Sequence, residues 1–176
     1  MVKIDPARIF KPVNVAVMTI SDTRTTENDV SGITLRDRIE KSGHKCIKRV
    51  IVKDDVTAIT SILETFIEDP EVDVIITTGG TGLTGRDVTP EAFETLCDKI
   101  IPGFGEIFRL ISYKKIGASS IQSRALAGIA NGKYLFALPG SPSACKDAWD
   151  EILSFQLDYR FRPCNLVELM PRLKEA

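Results

Sequence analysis

The sequence contains one histidine and no pair of closely spaced cysteines, and both absences narrow its chemistry. The histidine, His44, follows Gly43 at a predicted strand start, and we expect it to be an exposed turn residue. A Ser/His or Cys/His nucleophile system is therefore excluded. The cysteines lie far apart and form no CxxC motif, which argues against a zinc site or a disulfide framework and favours reduced thiols; they are Cys46, Cys97, Cys145 and Cys164.

The chain also lacks a basic excess and a long apolar run. Its formal net charge is −1, which argues against general nucleic-acid binding. No apolar stretch approaches the ~20 residues of a membrane span, and the start of the chain does not resemble a signal peptide. With 43% hydrophobic and 27% charged residues over 176 positions, we expect one globular, cytoplasmic domain without a membrane segment.

The most informative segment is 72–91, VDVIITTGGTGLTGRDVTPE. Its apolar, β-branched start predicts a buried strand, and a polar loop with glycines at 79, 80, 82 and 85 follows. Glycine lets backbone N–H groups approach a ligand without a Cβ clash. Thr89 and Pro90 are typical of an N-cap and a first helical residue. A loop between a strand and a helix lies at the carboxyl end of a parallel sheet, where such proteins bind ligands.

Two nucleotide motifs match this loop only in part. The spacing of Gly80, Gly82 and Gly85 fits GxGxxG, but the helix is predicted to start four residues after Gly85, and no acidic strand end follows about 20 residues on, so a nicotinamide-dependent oxidoreductase is disfavoured. No Gly-Lys-Ser/Thr follows, so the P-loop is excluded. Asp87 would repel a bare phosphate. The loop favours a nucleotide phosphate bound with Mg²⁺, and a glycine-rich structural turn is the alternative.

Strands and helices alternate along the rest of the chain. Runs at 13–20, 45–52 and 134–138 predict further strands, and apolar spacing predicts helices that begin near Ser31, Val56, Phe104 and Ser143. The pattern predicts an α/β fold with three α/β/α layers and a mainly parallel, twisted sheet. Residues 1–12 are expected to form a surface arm, and the tail from residue 158 is expected to be extended.

Two aspartates are candidates for a metal site. Asp54 and Asp87 each follow a predicted strand, so their carboxylates can face one crevice and bind Mg²⁺. Asp54 could instead cap the next helix, and Asp87 could be a loop acid near a helix N-terminus. Arg124 is a candidate anion ligand. The turn Pro139, Gly140 and Ser141 repeats the order strand, polar turn, helix, and it is either a second amide site or an ordinary connection.

Four motifs together resemble the molybdopterin-binding family. TTGGTG with RDVTPE is followed by GFGEIFR (103–109), SRALAG (123–128) and LPGSP (138–142), and the resemblance covers about residues 14–163. It implies an arm (1–12), a molybdopterin-binding domain (13–163) and a tail (164–176). It also implies the three-layer fold, a homotrimer or a dimer of trimers, and a molybdenum-insertion protein as a possible partner.

The resemblance further implies a reaction, the adenylylation of molybdopterin by ATP with release of pyrophosphate. It implies that Asp54 and Asp87 are catalytic and hold Mg²⁺. The other binding residues that it implies are Thr78, Gly79, Gly80, Thr81 and Gly82 for the nucleotide, and Ser119, Arg124, Pro139, Gly140 and Ser141 for the pterin phosphate side. Some family members bind molybdopterin without turnover, and that alternative stays open. The intact RDVTPE and the aspartate at 54 favour activity.

Overall fold

A computed structural model describes residues 3–175 of the chain. Within these residues, six strands form one sheet in the order β3-β2-β4-β7-β6-β5, and two short strands, β1 and β8, pair separately. The strands are β1 (Lys3–Ile4), β2 (Asn14–Ile20), β3 (Lys45–Val52), β4 (Val74–Thr78), β5 (Lys99–Ile100), β6 (Leu126–Ala130), β7 (Lys133–Leu138) and β8 (Phe161–Arg162).

Helices connect the strands and cover both faces of the sheet. They are α1 (Val30–Lys41), α2 (Val56–Glu68), α3 (Thr89–Leu96), α4 (Pro102–Ile116), α5 (Pro142–Ala148), α6 (Ser154–Gln156) and α7 (Leu166–Leu169). A π-helical turn, Trp149–Leu153, joins α5 to α6, so the last long helix of the prediction is irregular in its middle. A 3-10 turn, Gly117–Gln122, follows α4.

The sheet is mainly parallel, which confirms the predicted α/β fold. β2 pairs in parallel with β3 and β4, and β4 with β7, whereas β6, near one edge, is antiparallel to both of its neighbours, β7 and β5. Neighbouring strand residues alternate between two cores, as expected for a period of two: Val15 and Val17 pack with α1, α4 and α5, and Ala16 and Met18 pack with α2 and α3. The sheet lies between two helical layers.

The order of the strands places the ligand crevice. From β2 the chain moves to one side to form β3 and then returns to the other side to form β4, so the direction of winding reverses between β2 and β4. Open parallel sheets bind ligands at such a reversal, outside the carboxyl ends of the strands. Here those ends are Ile20, Val52, Thr78 and Leu138.

The described parts of the arm and the tail pack against each other. Lys3 pairs with Arg162 and Ile4 with Phe161 in an antiparallel ladder, and the guanidinium of Arg8 donates to Glu168 at 2.9 Å. The expectation of an extended tail is wrong for residues 166–172, which form α7 and a 3-10 turn. Residues 1, 2 and 176, at the outer ends of the predicted arm and tail, lie outside the described residues.

The prediction that His44 is exposed is wrong, because the arm covers it. His44 is 4% exposed, and its Nδ1 accepts a hydrogen bond from the Val13 N–H at 3.2 Å. Its ring lies between Phe10 and Trp149, with centroids 5.0 and 6.1 Å away. Burial lowers the pKa of His44, and the charge of Asp158 opposes that shift in part. The folded chain therefore favours the neutral imidazole.

We expect His44 to make the fold less stable in mild acid. The unfolded chain binds a proton near pH ~6.5 whereas folded His44 resists it, so its contribution is complete above that pH and is lost as pH falls below it. The melting temperature should fall further between pH ~7.5 and ~5.5 in the native protein than in His44→Asn, which keeps an acceptor but does not titrate. Parallel pH curves for the two proteins would contradict this.

Candidate functional site

A cleft of about 570 Å³ opens where β2, β4 and β7 end. Its volume lies within the usual range for small-molecule sites. Three backbone segments form its floor: the glycine loop 78–82, the turn 139–141 and the segment after β2. The wall includes apolar side chains from α4, Phe108 and Ile116, and the serines Ser112, Ser119, Ser120 and Ser123. The cleft therefore combines backbone amides and hydroxyls with an apolar wall.

Hydrogen bonds to the rest of the fold hold the glycine loop. The Gly79 N–H donates to Leu138 O at 3.0 Å, and the Thr89 hydroxyl donates to Gly79 O at 2.9 Å. The Thr89 N–H donates to Gly80 O at 3.0 Å, so Thr89 joins the loop to α3 as its first residue, and Val88, not Thr89, is the N-cap. Gly79 and Gly80 have φ values of 109° and 65°, which non-glycine residues rarely adopt.

The second turn is fastened to the same floor. The Thr78 hydroxyl donates to Pro139 O at 2.9 Å, and the Ser31 hydroxyl donates to Gly140 O at 2.7 Å. Ser141 caps α5 by accepting from the Ala144 N–H at 3.1 Å. Asp29 caps α1, which leaves the Ser31 hydroxyl free to hold the turn.

Asp54 is half-buried against the glycine loop, and its carboxylate has few groups that compensate its negative charge. Its Oδ1 has no hydrogen-bond partner among residues 3–175, and a Cβ placed on Gly80 would lie 2.9 Å from that oxygen. Asp55, not Asp54, caps α2 through the Ala58 N–H, so the capping alternative for Asp54 is wrong. Burial raises the pKa of Asp54, and the charges of Asp22 and Asp87 raise it further. A cation at this position would offset the cost of placing the negative charge of Asp54 there.

Asp87 lies in the same loop but is well satisfied. Its Oδ2 accepts from the Thr84 N–H at 2.9 Å and from the Thr84 hydroxyl at 2.6 Å. Burial alone would raise the pKa of Asp87, but hydrogen bonds from Thr84 and Gly82 and the charge of Arg124 lower it. Asp87 is therefore held in its ionised form, pointing toward Gly82.

Sequence reasoning missed a third carboxylate, Asp22. Its Oδ1 accepts the Asp54 N–H at 3.3 Å, and the guanidinium of Arg86 forms an ion pair with it. Asp22 stands two residues after the end of β2, at the reversal of the sheet, and that position was the available signal. The charges of Asp22 and Asp87 both act on Asp54, so the three acids lie close together, with Arg86 paired to Asp22 and Arg124 near Asp87.

The acids fit a magnesium ion that takes some of its ligands from the protein and the others from water and a substrate. No group of three His, Cys, Asp or Glu side chains within residues 3–175 forms a site able to hold a metal ion alone. Mg²⁺ does not require one, because it keeps several waters and takes one or two carboxylates together with substrate phosphates. The unpartnered Oδ1 of Asp54 is the atom most in need of a cation.

Of the other predicted residues, the structure brings most to the cleft. Thr78, Gly79, Gly80, Thr81, Gly82, Ser119, Pro139, Gly140 and Ser141 all line it. Arg124 does not. Its Nε donates to Gly82 O at 2.7 Å, its Nη2 to Asp87 O at 2.6 Å, and its Nη1 to Glu91 at 2.5 Å. Arg124 therefore supports the glycine loop. Its Nε, Nη1 and Nη2 groups already donate within the protein, so the predicted contact with the pterin phosphate side would require Arg124 to give up one of these hydrogen bonds. Arg24 is the only cation that lines the cleft in the described part of the chain.

Among residues 3–175, none of the helices has the length and apolar character needed to cross a bilayer.

Comparison with known proteins agrees with the geometry. A family profile described as "Probable molybdopterin binding domain" matches residues 16–159. Molybdenum cofactor biosynthesis protein B of Escherichia coli (strain K12) is 45% identical over 166 residues, 94% of this chain and 96% of that protein. Its Bacillus cereus namesake is 44% identical over 150 residues, 85% of this chain and 89% of that protein.

Solved structures show the same fold. A crystal structure of molybdenum cofactor biosynthesis protein B superposes with a TM-score of 0.86 at 39% identity, and the match covers 96% of this chain and 100% of that one. The tungsten cofactor synthesizing protein MoaB of Pyrococcus furiosus superposes with a TM-score of 0.70 at 34% identity, covering 82% of this chain and 92% of that one. Profile, sequences and structures agree with the motif resemblance, and the chain belongs to the molybdopterin-binding domain family.

Proposed function

We propose that this protein acts in molybdenum cofactor biosynthesis by binding molybdopterin and adenylylating it with ATP and Mg²⁺. The family and the names of its relatives support the pathway and the pterin ligand. One observation carries the catalytic part of the proposal. The carboxylate of Asp54 is kept against the glycine loop with a buried, unpartnered oxygen, although the fold provides a separate cap in Asp55. A purely structural aspartate would not be left without a partner.

The reaction requires little acid–base chemistry from the chain. The terminal phosphate of molybdopterin is ionised near neutral pH, so it can attack the α-phosphorus of ATP without a general base. A new P–O bond forms there, the bond to the bridging oxygen of the β-phosphate breaks, and pyrophosphate leaves with that electron pair. Such a transfer depends on alignment and charge neutralisation. The absence of a catalytic histidine agrees with this chemistry.

The chain's own groups perform the alignment. Asp54 and Asp87 would hold Mg²⁺, which supplies positive charge to the phosphates when it is bound. Residues 78–82 present backbone that carries no Cβ at Gly79, Gly80 and Gly82, so the nucleotide can approach closely. Beside this loop, the turn 139–141 and Ser119 offer hydroxyls and a backbone amide for the pterin phosphate. Phe108 and Ile116 add an apolar wall to the cleft.

A binding protein without turnover is the second candidate. The observation that favours it is the shortage of positive charge in the cleft. Among the cleft-lining residues that the structure describes, Arg24 is the only lysine or arginine. Arg86 is paired with Asp22, and Arg124 supports the loop. A pterin phosphate alone needs less neutralisation than a triphosphate does.

The assembly and location of the protein remain part of this proposal. Apolar side chains at helical spacing stand exposed on α4, namely Ile107, Leu110, Tyr113 and Ile116. Exposed apolar stripes of this kind are typical of subunit interfaces. We propose a cytoplasmic homotrimer or dimer of trimers that passes its product to a molybdenum-insertion protein.

Incubation with molybdopterin, ATP and Mg²⁺, followed by chromatography, tests the activity. The native protein should form adenylylated molybdopterin and pyrophosphate. Asp87→Asn should reduce the rate on the order of 10²-fold, because one charged ligand of the metal is lost. Asp37→Asn, an exposed aspartate on α1, is the matched control and should keep the native rate.

Molybdopterin binding without product in the native protein would contradict catalysis and establish the second candidate. Binding of neither ligand would contradict both.

A further inference from the structure

A second cavity, of about 390 Å³, lies beside the cleft at the edge strand of the sheet. It is formed by the segment after β2 and by the last residues of β3, and its lining includes the hydroxyls of Ser21, Thr25 and Thr26. Its two cations are Arg24 and Lys53. No aromatic ring lines it in the part of the chain that the structure describes, so the cavity offers nothing on which a flat pterin ring could stack.

The second cavity and the cleft meet at the three acids. Ser21 and Arg24 line both spaces. Asp22 lines the second cavity, Asp87 lines the cleft, and Asp54 contacts both sides, since its N–H donates to Asp22 and its Oδ1 lies against Gly80. A metal ion held by Asp54 and Asp87 would therefore lie close to both spaces. A ligand that spans them would pass that ion.

The cations of the second cavity are free to bind an anion. Neither Arg24 nor Lys53 forms a salt bridge with a carboxylate within residues 3–175. The guanidinium of Arg24 makes one long hydrogen bond, to Asn28 O at 3.4 Å, and the carboxylate of Asp22 is already paired with Arg86. Unpaired cations beside several hydroxyls are suited to a polyphosphate.

The direction of the reaction adds a constraint. In phosphoryl transfer the attacking and leaving oxygens lie roughly in line through phosphorus. If the pterin phosphate attacks from the cleft, the leaving pyrophosphate must depart on the opposite side of the reacting phosphorus. The second cavity adjoins Asp22 and shares Ser21 and Arg24 with the cleft, so it is the candidate for that space.

We propose that the second cavity binds the β- and γ-phosphates of ATP and receives the pyrophosphate that leaves, with Lys53 and Arg24 as its ligands. This assignment rests on the proposed adenylylation and locates the leaving group for it. Pyrophosphate departs with the electron pair of the broken bond, and the two cations balance part of its charge. Lys53 is then a specificity residue for triphosphates over monophosphates.

Calorimetric titration of the full chain, in Mg²⁺, tests the assignment with four probes: ATP, AMP, pyrophosphate and orthophosphate. Lys53→Met should weaken the binding of ATP and pyrophosphate roughly three- to tenfold and leave AMP unchanged, and Lys53→Glu should weaken them further. Orthophosphate should bind more weakly than pyrophosphate in every variant. Lys45→Met is the matched control, because Lys45 is exposed at the other end of the same strand.

Two further outcomes would show whether the second-cavity site or the proposed adenylylation is wrong. Equal ATP and pyrophosphate affinities in Lys53→Met and Lys45→Met, with adenylylated product still formed, would overturn the second-cavity site and leave the adenylylation intact. A native protein that binds pyrophosphate but not ATP would overturn the adenylylation, and with it the assignment of the anion to a nucleotide.

Discussion

Asp54→Asn should lower the rate of adenylylation on the order of 10²- to 10³-fold and at the same time raise the melting temperature. The activity falls because the proposed metal loses the carboxylate oxygen that lacks any other partner. The stability rises because the charge of Asp54 is disfavoured in the fold. Burial and the charges of Asp22 and Asp87 raise its pKa, so the ionised form at neutral pH destabilises the folded state, and a neutral amide removes that cost. Opposite changes of this kind are typical of functional sites.

The neighbouring residue provides the control for this prediction. Asp55→Asn changes the same side chain one position later, but Asp55 is exposed and only caps α2, and asparagine caps a helix about as well. It should keep both native activity and native stability. A lower melting temperature in Asp54→Asn, measured without Mg²⁺ by scanning calorimetry, would show that the carboxylate is structural and would remove the main support for the metal site.

Gly79→Ala should destabilise the protein by about 3–5 kcal/mol, which corresponds to a fall of roughly 6–20 °C in melting temperature. Gly79 has φ of 109°, and a Cβ there would overlap the backbone carbonyl oxygen of Ile20. A main-chain atom of β2 cannot move aside as a flexible side chain can. The carboxyl ends of β2 and β4 would have to separate, and the floor of the cleft would be lost with them.

Substitutions at two other glycines distinguish steric overlap from backbone strain as the cause of the lost stability. Gly117 also has a positive φ, of 60°, but no heavy atom lies within 4 Å of a Cβ built there, so Gly117→Ala should cost only the backbone strain of about 1–2 kcal/mol. Gly85 has open space and no positive φ, and Gly85→Ala should be nearly neutral. Equal melting temperatures for Gly79→Ala and Gly117→Ala would show that steric overlap with Ile20 plays no part.

Local sequence patterns are sufficient to predict the strands whose ends form the site. The β-branched runs in β2 and β4 are buried on both sides, and such runs have few other interpretations in a chain where strands alternate with amphipathic helices. The glycine loop was also predictable, since the strand before it and the helix after it fix its place at the carboxyl edge. These features depend on neighbours in sequence.

The features that sequence reasoning missed depend on contacts between distant segments. His44 is buried because Phe10 and Trp149 pack on it from either end of the chain. Asp22 joins the acids only because β2 and β3 are adjacent. Strand β6 was missed for another reason, because LAGIA is rich in small residues and lacks a β-branched run. Its pairing with β7, not its propensity, makes it a strand.

The pairing of β1 with β8 also determines where anything attached to the chain would emerge. The arm leads into the amino end of β2, and the side chain of Lys174 lies over Gly132 in the turn before β7, so both ends of the described chain are at the amino edge of the sheet. The cleft and the second cavity are at the carboxyl edge. An affinity tag, a fluorescent protein or a fused enzyme domain at either end would thus leave the opening of the site clear.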